Sequence, residues 1–167
     1  VSGCTVPGRL ELPPESGLSY VGFCDPSGGS ADAMTLAIGH RDKAGRGVLD
    51  CVRVATPPFS PDDVVSSFAA TLREYRINRV HGDRYAGEWP RERFRVHGVA
   101  YVPSDKSKSE IYQAALPLLN SGRVELLDLP AIAQQLHGLE RRTSRAGKDS
   151  IDHAPNQHDD VANAVCG

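Results

Sequence analysis

The sequence has little of what marks several classes of protein. Its 167 residues include four cysteines but no C-x-x-C pair, and only 6% of them are aromatic. Single cysteines argue against a zinc site with paired ligands and against the disulfide framework of a small secreted chain. Apolar runs are far shorter than the ~20 residues of a transmembrane helix, and no signal peptide pattern is visible at the N-terminus. We therefore expect a reducing, cytoplasmic setting, with Cys24 and Cys51 as buried thiols.

An excess of one charge sign is also absent, since 19 Lys and Arg oppose 21 Asp and Glu and give a formal charge of −2. This balance argues against a protein that binds nucleic acid through an overall basic charge. The distribution is uneven, because residues 149–167 contain four acidic residues and no basic one, whereas residues 81–148 contain eleven basic and eight acidic residues. The apolar content of 40% and the charged content of 24% are ordinary for a soluble globular domain.

The hydrophobic pattern predicts one α/β domain at residues 18–167, preceded by a linker or arm rich in Pro and Gly at residues 1–17. Apolar segments predict strands at 18–25, 33–40, 48–55, 78–83, 99–102 and 124–127. The first three strands form an antiparallel meander, because the turn between the second and third has hairpin composition. Helical spacing and capping residues predict helices at 61–75, 88–95, 104–120, 129–140 and 159–165, and a polar hairpin or loop at 144–155. This order favours a mixed sheet, with parallel strands after the meander and helices on both faces.

Acidic residues stand at the ends of predicted elements. Asp25 ends the first strand, Asp83 ends the fourth, and Asp159 and Asp160 begin the last helix. If the first and fourth strands are parallel neighbours, Asp25 and Asp83 project side by side at the carboxyl edge of the sheet. Clustered carboxylates repel one another unless a cation compensates, and Mg²⁺ or Mn²⁺ matches oxygen ligands. A single Asp at such a position is commonly only a turn former or a helix cap.

Three segments carry a resemblance to a known family, namely residues 25–29 (DPSGG), 82–89 (GDRYAGEW) and 158–164 (HDDVANA). With them the sequence resembles the C-terminal nuclease domain of the large terminase subunit of tailed bacteriophages, over nearly all of the chain from Tyr20 onward. The resemblance implies a ribonuclease H-like fold and cleavage of double-stranded DNA with two divalent metal ions, Mg²⁺ or Mn²⁺. It also implies that Asp25 bridges both ions, that Asp83 binds one, and that the Asp159–Asp160 pair supplies the third ligand.

Only one of the two adjacent aspartates is expected to bind metal, because side chains one residue apart on a helix differ by about 100° in direction. We favour Asp160 and keep Asp159 as the alternative. Asn163 stands where many relatives have an acid, which weakens any metal contact there. The sequence contains no G-x-x-x-x-G-K-[ST] loop, so the chain would be the nuclease part of a terminase without its ATPase motor.

Further polar residues are expected near the metal site or on DNA. His158, Asp152 and His153 are candidates to support the metal ligands, His158 also to assist proton transfer, and Asp32 is a weaker candidate ligand. Basic residues around an acidic metal site would contact the phosphate backbone. The DNA-binding candidates are Arg84, Lys106, Lys108, Arg141, Arg142, Arg145 and Lys148.

The resemblance also implies partners. These are double-stranded DNA, the terminase ATPase domain of a longer chain, the small terminase subunit and the portal, all in the host bacterial cytoplasm and without a membrane. Two alternatives stay open: a junction resolvase or transposase-like nuclease, which would prefer branched DNA, and a non-catalytic ribonuclease H-like interaction module, which would not bind Mn²⁺. A phosphatase with an Asp nucleophile is disfavoured, because it would need a second acid where Ser27 stands.

Overall fold

The structure is a computed structural model that describes all residues except 144–146 and 148, and describes Tyr85 by its backbone alone. The strands are β1 Tyr20–Asp25, β2 Met34–Arg41, β3 Gly47–Ala55, β4 Arg79–Gly82, β5 Ala100–Pro103, β6 Val124–Glu125, β7 Leu139–Thr143 and β8 Asp149–His153. The α-helices are α1 Pro61–Glu74, α2 Trp89–Val96, α3 Lys108–Asn120, α4 Pro130–His137 and α5 Asp160–Cys166, and a short 3₁₀ helix spans Arg84–Ala86. Within these described parts, no helix has both the length and the apolar character to cross a lipid bilayer.

The first six strands form one mixed sheet in the order β5-β4-β1-β2-β3-β6. Strands β1, β2 and β3 are an antiparallel meander, whereas β4 runs parallel to β1, and β5 parallel to β4. The predicted mixed sheet is thereby confirmed, and β6 adds a further parallel strand beside β3. Because Cys24 of β1 pairs with Gly82 of β4, the next residues, Asp25 and Asp83, lie side by side at the carboxyl edge of the sheet.

Two hydrophobic cores cover the two faces of this sheet. Strand β2 shows the alternation, because Leu36 and Ile38 belong to one core and Ala37 to the other. Helices α1 and α2 complete the first core, and α3, α4 and α5 complete the second. The predicted helices on both faces are thus confirmed. Cys24 and Cys51 are fully buried in the first core, as expected.

Side-chain caps set the starts of α1 and α3. The Ser60 side chain accepts a hydrogen bond from the backbone N–H of Asp63 at the start of α1. Ser107 and Glu110 form a reciprocal capping box at the start of α3. Both caps follow the sequence pattern. The predicted start of α3 at residue 104 is too early, because Ser107 is the capping residue.

The end of α4 differs from the prediction. The apolar pattern extends this helix to residue 140, but α4 ends at His137, because the N–H of Gly138 closes it on the carbonyl oxygens of Gln134 and Gln135. The chain then enters β7, which pairs antiparallel with β8. The hairpin therefore begins at Leu139, before the predicted loop. Strand β6 is also shorter than the predicted strand at 124–127.

Residues 1–17 lie against the domain. The N–H of Val6 donates to the Leu126 carbonyl at 3.0 Å, and the N–H of Leu126 donates to the Cys4 carbonyl at 2.8 Å. Further along, the N–H of Leu12 donates to the carbonyl of Asp50 at 2.8 Å. The segment therefore follows the surface beside β6 and β3. The division of the chain at residue 17 stays a prediction.

Candidate metal centre

A polar cleft of about 540 Å³ lies where β1 and β4 end and α5 begins. It is the only place where all four carboxylates predicted as metal ligands come together among the described residues, and two predicted supporting histidines join them. The charged side chains and the amide that line the cleft and could bind or support an ion are Asp25, Asp32, Asp83, Lys108, His153, His158, Asp159, Asp160 and Asn163.

Asp25 ends β1 at the buried side of the cleft. Its pKa is raised to about 7, first by burial and then by repulsion from three neighbouring aspartates, against a lowering effect of the Asn163 amide. A cation in the cleft would reverse this shift, because an opposite charge favours the ionised carboxyl group. Asp25 therefore has the electrostatic surroundings of a ligand that needs a positive counter-ion.

Asp83 follows β4 and is held through its backbone. Its N–H donates to the carbonyl of Cys24 at 3.3 Å, and the Tyr101 hydroxyl donates to its carbonyl oxygen at 2.8 Å. Gly82 permits this close approach, since a Cβ there would lie 2.6 Å from the Cys24 carbonyl oxygen. The carboxylate of Asp83 thus enters the cleft from a fixed backbone position beside Asp25.

Asp159 is buried at the start of α5, with 5% of its surface exposed. Its Oδ2 accepts a hydrogen bond from the Tyr112 hydroxyl at 2.8 Å and lies 2.9 Å from the Lys108 Nζ. The carboxylate makes no capping hydrogen bond to α5. Instead, Gln135 Oε1 of α4 accepts from the backbone N–H groups of Val161 and Ala162, the second and third residues of α5, at 2.8 and 3.0 Å. Asp159 is therefore not a simple helix cap.

Asp160 turns toward another part of the cleft. Its Oδ2 lies 3.9 Å from His158 Nδ1, and its side chain is 14% exposed. Burial raises its pKa, as does repulsion from Asp32 and Asp159, and His158 partly offsets the shift. Among the neighbouring acids, Asp160 acts most strongly on Asp25. The carboxyl groups of Asp160 and Asp25 therefore lie close enough for their charges to interact.

The surroundings of Asn163 indicate whether the cleft could hold a bound ion. It is 1% exposed, and neither Nδ2 nor Oδ1 makes a hydrogen bond of standard geometry to the residues that the structure describes, although the amide lies close enough to Asp25 to lower the pKa of that carboxyl group. Buried amides are usually satisfied by protein, water or ions. An unsatisfied amide beside clustered carboxylates fits a hydrated divalent ion with hard oxygen ligands, such as Mg²⁺ or Mn²⁺. Sequence reasoning noted this position only as a missing acid.

A second group of ligand atoms lies on the β8 side of the cleft. One ligand atom each from Asp152, His153 and Asp159 lies within 4.8 Å of the others. The His153 Nδ1 lies 2.9 Å from the Ala154 carbonyl oxygen, so a neutral ring that donates there leaves Nε2 as the metal-binding atom. Asp152 and His153, predicted as supporting groups, are therefore placed where they could bind an ion directly.

The predicted DNA-binding residues fall into three groups. Those exposed at the surface are Arg84, Lys106, Arg141 and Arg142. Arg141 is paired with Asp149 within the β7–β8 hairpin. Arg145 and Lys148 lie outside the described residues, so their contacts stay predictions. Lys108 lies in the cleft on Asp159, a position that sequence spacing does not reveal.

Comparison with known proteins bears on the fold. No protein-family model matches the sequence, and no curated protein gives a significant match. The large terminase nuclease from thermophilic phage G20c matches with a TM-score of 0.79 and 18% identity, over 93% of this chain and 83% of that chain. Two further structures of that nuclease contain bound cobalt and bound magnesium.

Other solved structures of large terminases also match the fold of this chain. The large terminase nuclease domain of Thermus phage P74-26 matches with a TM-score of 0.73 and 19% identity, over 95% of this chain and 88% of that chain. The HK97 bacteriophage large terminase matches with a TM-score of 0.73 and 15% identity, over 99% of this chain but 41% of that chain. The chain therefore has the ribonuclease H-like fold of large terminase nuclease domains, and the predicted fold is confirmed.

Proposed function

We propose that the chain is the endonuclease domain of a viral DNA-packaging terminase, which cuts concatemers of double-stranded DNA by phosphodiester hydrolysis with two divalent ions, Mg²⁺ or Mn²⁺. The observation that carries this proposal is the convergence of Asp25, Asp83 and the Asp159–Asp160 pair on one polar cleft. The fold supports it, as do the cobalt and magnesium bound by a nuclease of the same fold.

Two groups of residues would hold the ions, so both adjacent aspartates would be ligands instead of the single one expected from the sequence. The first is Asp25, Asp83 and Asp160, and the second is Asp152, His153 and Asp159. Asp25 couples electrostatically to the aspartates of both groups, which suits a ligand shared between two ions. The ions would supply an activated water and stabilise the leaving oxygen. The chain itself would hold the ligand oxygens at two strand ends, one helix start and one hairpin.

Double-stranded DNA would lie against exposed basic residues around the cleft. Arg84 directly follows Asp83, and Lys106 precedes α3. Arg141 and Arg142 lie on β7, and Arg145 and Lys148 complete the predicted set. Contacts to phosphates position the duplex without reading its sequence. Binding by these residues should weaken as salt concentration rises.

The remaining partners follow from the same proposal. This chain covers 41% of the HK97 large terminase, as expected for one domain of a longer protein that also has an ATPase domain. The small terminase subunit and the portal would be further partners. The site of action would be the host bacterial cytoplasm.

Plasmid cleavage in Mn²⁺ tests the proposal. The Asp25→Asn substitution keeps the shape of the side chain but removes the shared metal ligand, so we expect cleavage to fall at least about a hundredfold. The control is Glu74→Gln, which makes the same chemical change at the exposed end of α1, away from the cleft. Wild-type cleavage by Asp25→Asn would contradict the proposal.

Two further measurements separate the alternatives. A strong preference of the wild-type protein for branched over linear duplexes would indicate a junction resolvase. A folded protein that binds no Mn²⁺ in calorimetry would indicate a non-catalytic module.

A further inference from the structure

Lys108, the first residue of α3, places its ammonium group among the acids of the cleft. Its Nζ lies 2.9 Å from Oδ2 and 3.1 Å from Oδ1 of Asp159, and 3.6 Å from Oδ1 of Asp152. Only 31% of its side chain is exposed. The ammonium therefore bridges two carboxylates that come from β8 and from the residue before α5.

The surrounding contacts hold Lys108 in this place. The capping box of Ser107 and Glu110 fixes the start of α3. The next residue, Ser109, accepts a hydrogen bond from the N–H of Ile151 at 2.9 Å, which joins α3 to β8. Lys108 is thus fixed between two elements that both border the cleft.

The location of Lys108 is not explained by its own helix. A cation in the first turn of a helix is disfavoured by the helix dipole, and partial burial of an ammonium group costs further free energy. The carboxylates of Asp159 and Asp152 offset both costs. Lys108 is therefore a partner of these acids rather than a free surface charge.

Lys108 contacts Asp152 and Asp159. These are two of the three residues, with His153, whose ligand atoms lie within 4.8 Å of one another. An ammonium group and a divalent ion would compete for the same oxygens. We propose that Lys108 is the resident counter-cation of the Asp152–His153–Asp159 subsite, and that a divalent ion enters this subsite by displacing the Lys108 ammonium. The inference rests on the metal-dependent cleft proposed above.

One consequence is that the two sides of the cleft differ in metal affinity. Competition by Lys108 weakens binding at the subsite that it occupies, whereas the group of Asp25, Asp83 and Asp160 is affected only at longer range. The ion beside Asp25 therefore binds first. Full loading needs a higher metal concentration, because it also requires the Lys108 side chain to leave Asp159.

Isothermal titration with Mn²⁺ tests the exchange. Lys108→Met keeps most of the side-chain length but removes the charge, so we expect the weaker Mn²⁺ binding event to become about tenfold tighter than in the wild-type protein. Lys108→Arg keeps the positive charge and should retain weak binding at this subsite. The control is Lys43→Met, which removes the same charge from the exposed β2–β3 turn and should leave Mn²⁺ binding unchanged.

Equal or weaker Mn²⁺ binding by Lys108→Met would overturn the exchange while leaving the metal-dependent cleft in place. Absence of Mn²⁺ binding in both the wild type and Lys108→Met would overturn the proposed function and the exchange with it.

A measurement on the wild-type protein covers the case in which Lys108→Met does not fold. The chain contains four lysines, so ¹³C-labelled lysine gives a simple NMR spectrum of the side-chain Cε groups. Saturating Mg²⁺ should shift the Lys108 signal and leave the Lys43 signal in place. A Lys108 signal that stays unchanged while Mg²⁺ binds would overturn the exchange.

Discussion

Asp159 and Asp160 are adjacent in the sequence, yet they meet different surroundings. Asp159 shares its oxygens with Tyr112 and Lys108, whereas Asp160 lies 3.9 Å from His158 and is the acid that raises the pKa of Asp25 most. The sequence predicts different directions for the two side chains from helical rotation, but Asp159 precedes α5 and has non-helical backbone angles. The place of Lys108 is not predictable in this way, because its contact with Asp159 joins residues 51 positions apart in the chain.

The partly buried carboxyl group of Asp25 gives a prediction about pH. Its pKa in the folded protein is about 7, above the ~3.9 of an unfolded chain. The folded state therefore holds a proton that the unfolded state releases between these values. The contribution of this bound proton to the free energy of unfolding is fully present below pH ~4 and is lost as the pH rises through 7. We expect the metal-free wild type to lose on the order of 3 kcal/mol more than Asp25→Asn between pH 4 and 8.

Urea unfolding in EDTA across this pH range measures the difference. Glu74→Gln should keep the wild-type pH dependence. Saturating Mg²⁺ should flatten the wild-type curve, because a bound cation favours the ionised carboxyl group. Parallel curves for the wild type and Asp25→Asn in EDTA would show that burial does not perturb Asp25.

The helices and strands differ in how well local sequence predicts them. The starts of α1 and α3 follow from Ser60 and from the Ser107–Glu110 capping box, because caps are local interactions. Strands β7 and β8 pair with each other but lack the apolar alternation of a strand with one buried face, so the local sequence gives no strand signal there. The hydrophobic pattern therefore extends α4 past Gly138, although the helix ends there.

Helix α5 depends on a cap that another helix supplies, and this gives a prediction for Gln135. Its Oε1 accepts from the N–H groups of Val161 and Ala162. Gln135→Ala would leave both donors without this partner, and we expect it to lower the free energy of unfolding by about 1–2 kcal/mol. Fraying of α5 would also displace Asp160, so cleavage should fall.

Urea unfolding and hydrogen exchange at the amides of Val161 and Ala162 measure this effect. Gln135→Glu keeps an acceptor at the helix start and should retain near wild-type stability. Gln134→Ala changes the exposed neighbouring residue and should have little effect. Unchanged amide protection in Gln135→Ala would show that the cap does not stabilise α5.

For the whole molecule, the order of apolar segments predicts the meander, the following parallel strands and helices on both faces. It does not predict that β6 pairs with β3 or that the N-terminal segment lies beside β6. Both features join segments far apart in the chain, through short stretches of backbone pairing with little pattern of their own. The cleft was predictable because β1 and β4 end at the same edge of the sheet.

The charge of the whole chain leads to a prediction about DNA binding. The formal charge of −2 includes four acids and no base in residues 149–167, and three of those acids border the cleft. Without metal, these carboxylates repel phosphates, whereas two bound divalent ions would make the protein net positive. We therefore expect a short DNA duplex to bind at least about tenfold more tightly with divalent ions than in EDTA, and more weakly as salt rises.

Fluorescence anisotropy at constant ionic strength measures this difference. Ca²⁺, which also prefers oxygen ligands, replaces Mg²⁺, and a gel confirms that the duplex stays intact. Lys106→Met should reduce the slope of log affinity against log salt by about 1 if Lys106 contacts a phosphate. Equal affinity in EDTA and Ca²⁺ would contradict this prediction and would mean that the basic residues bind DNA independently of the acidic cleft.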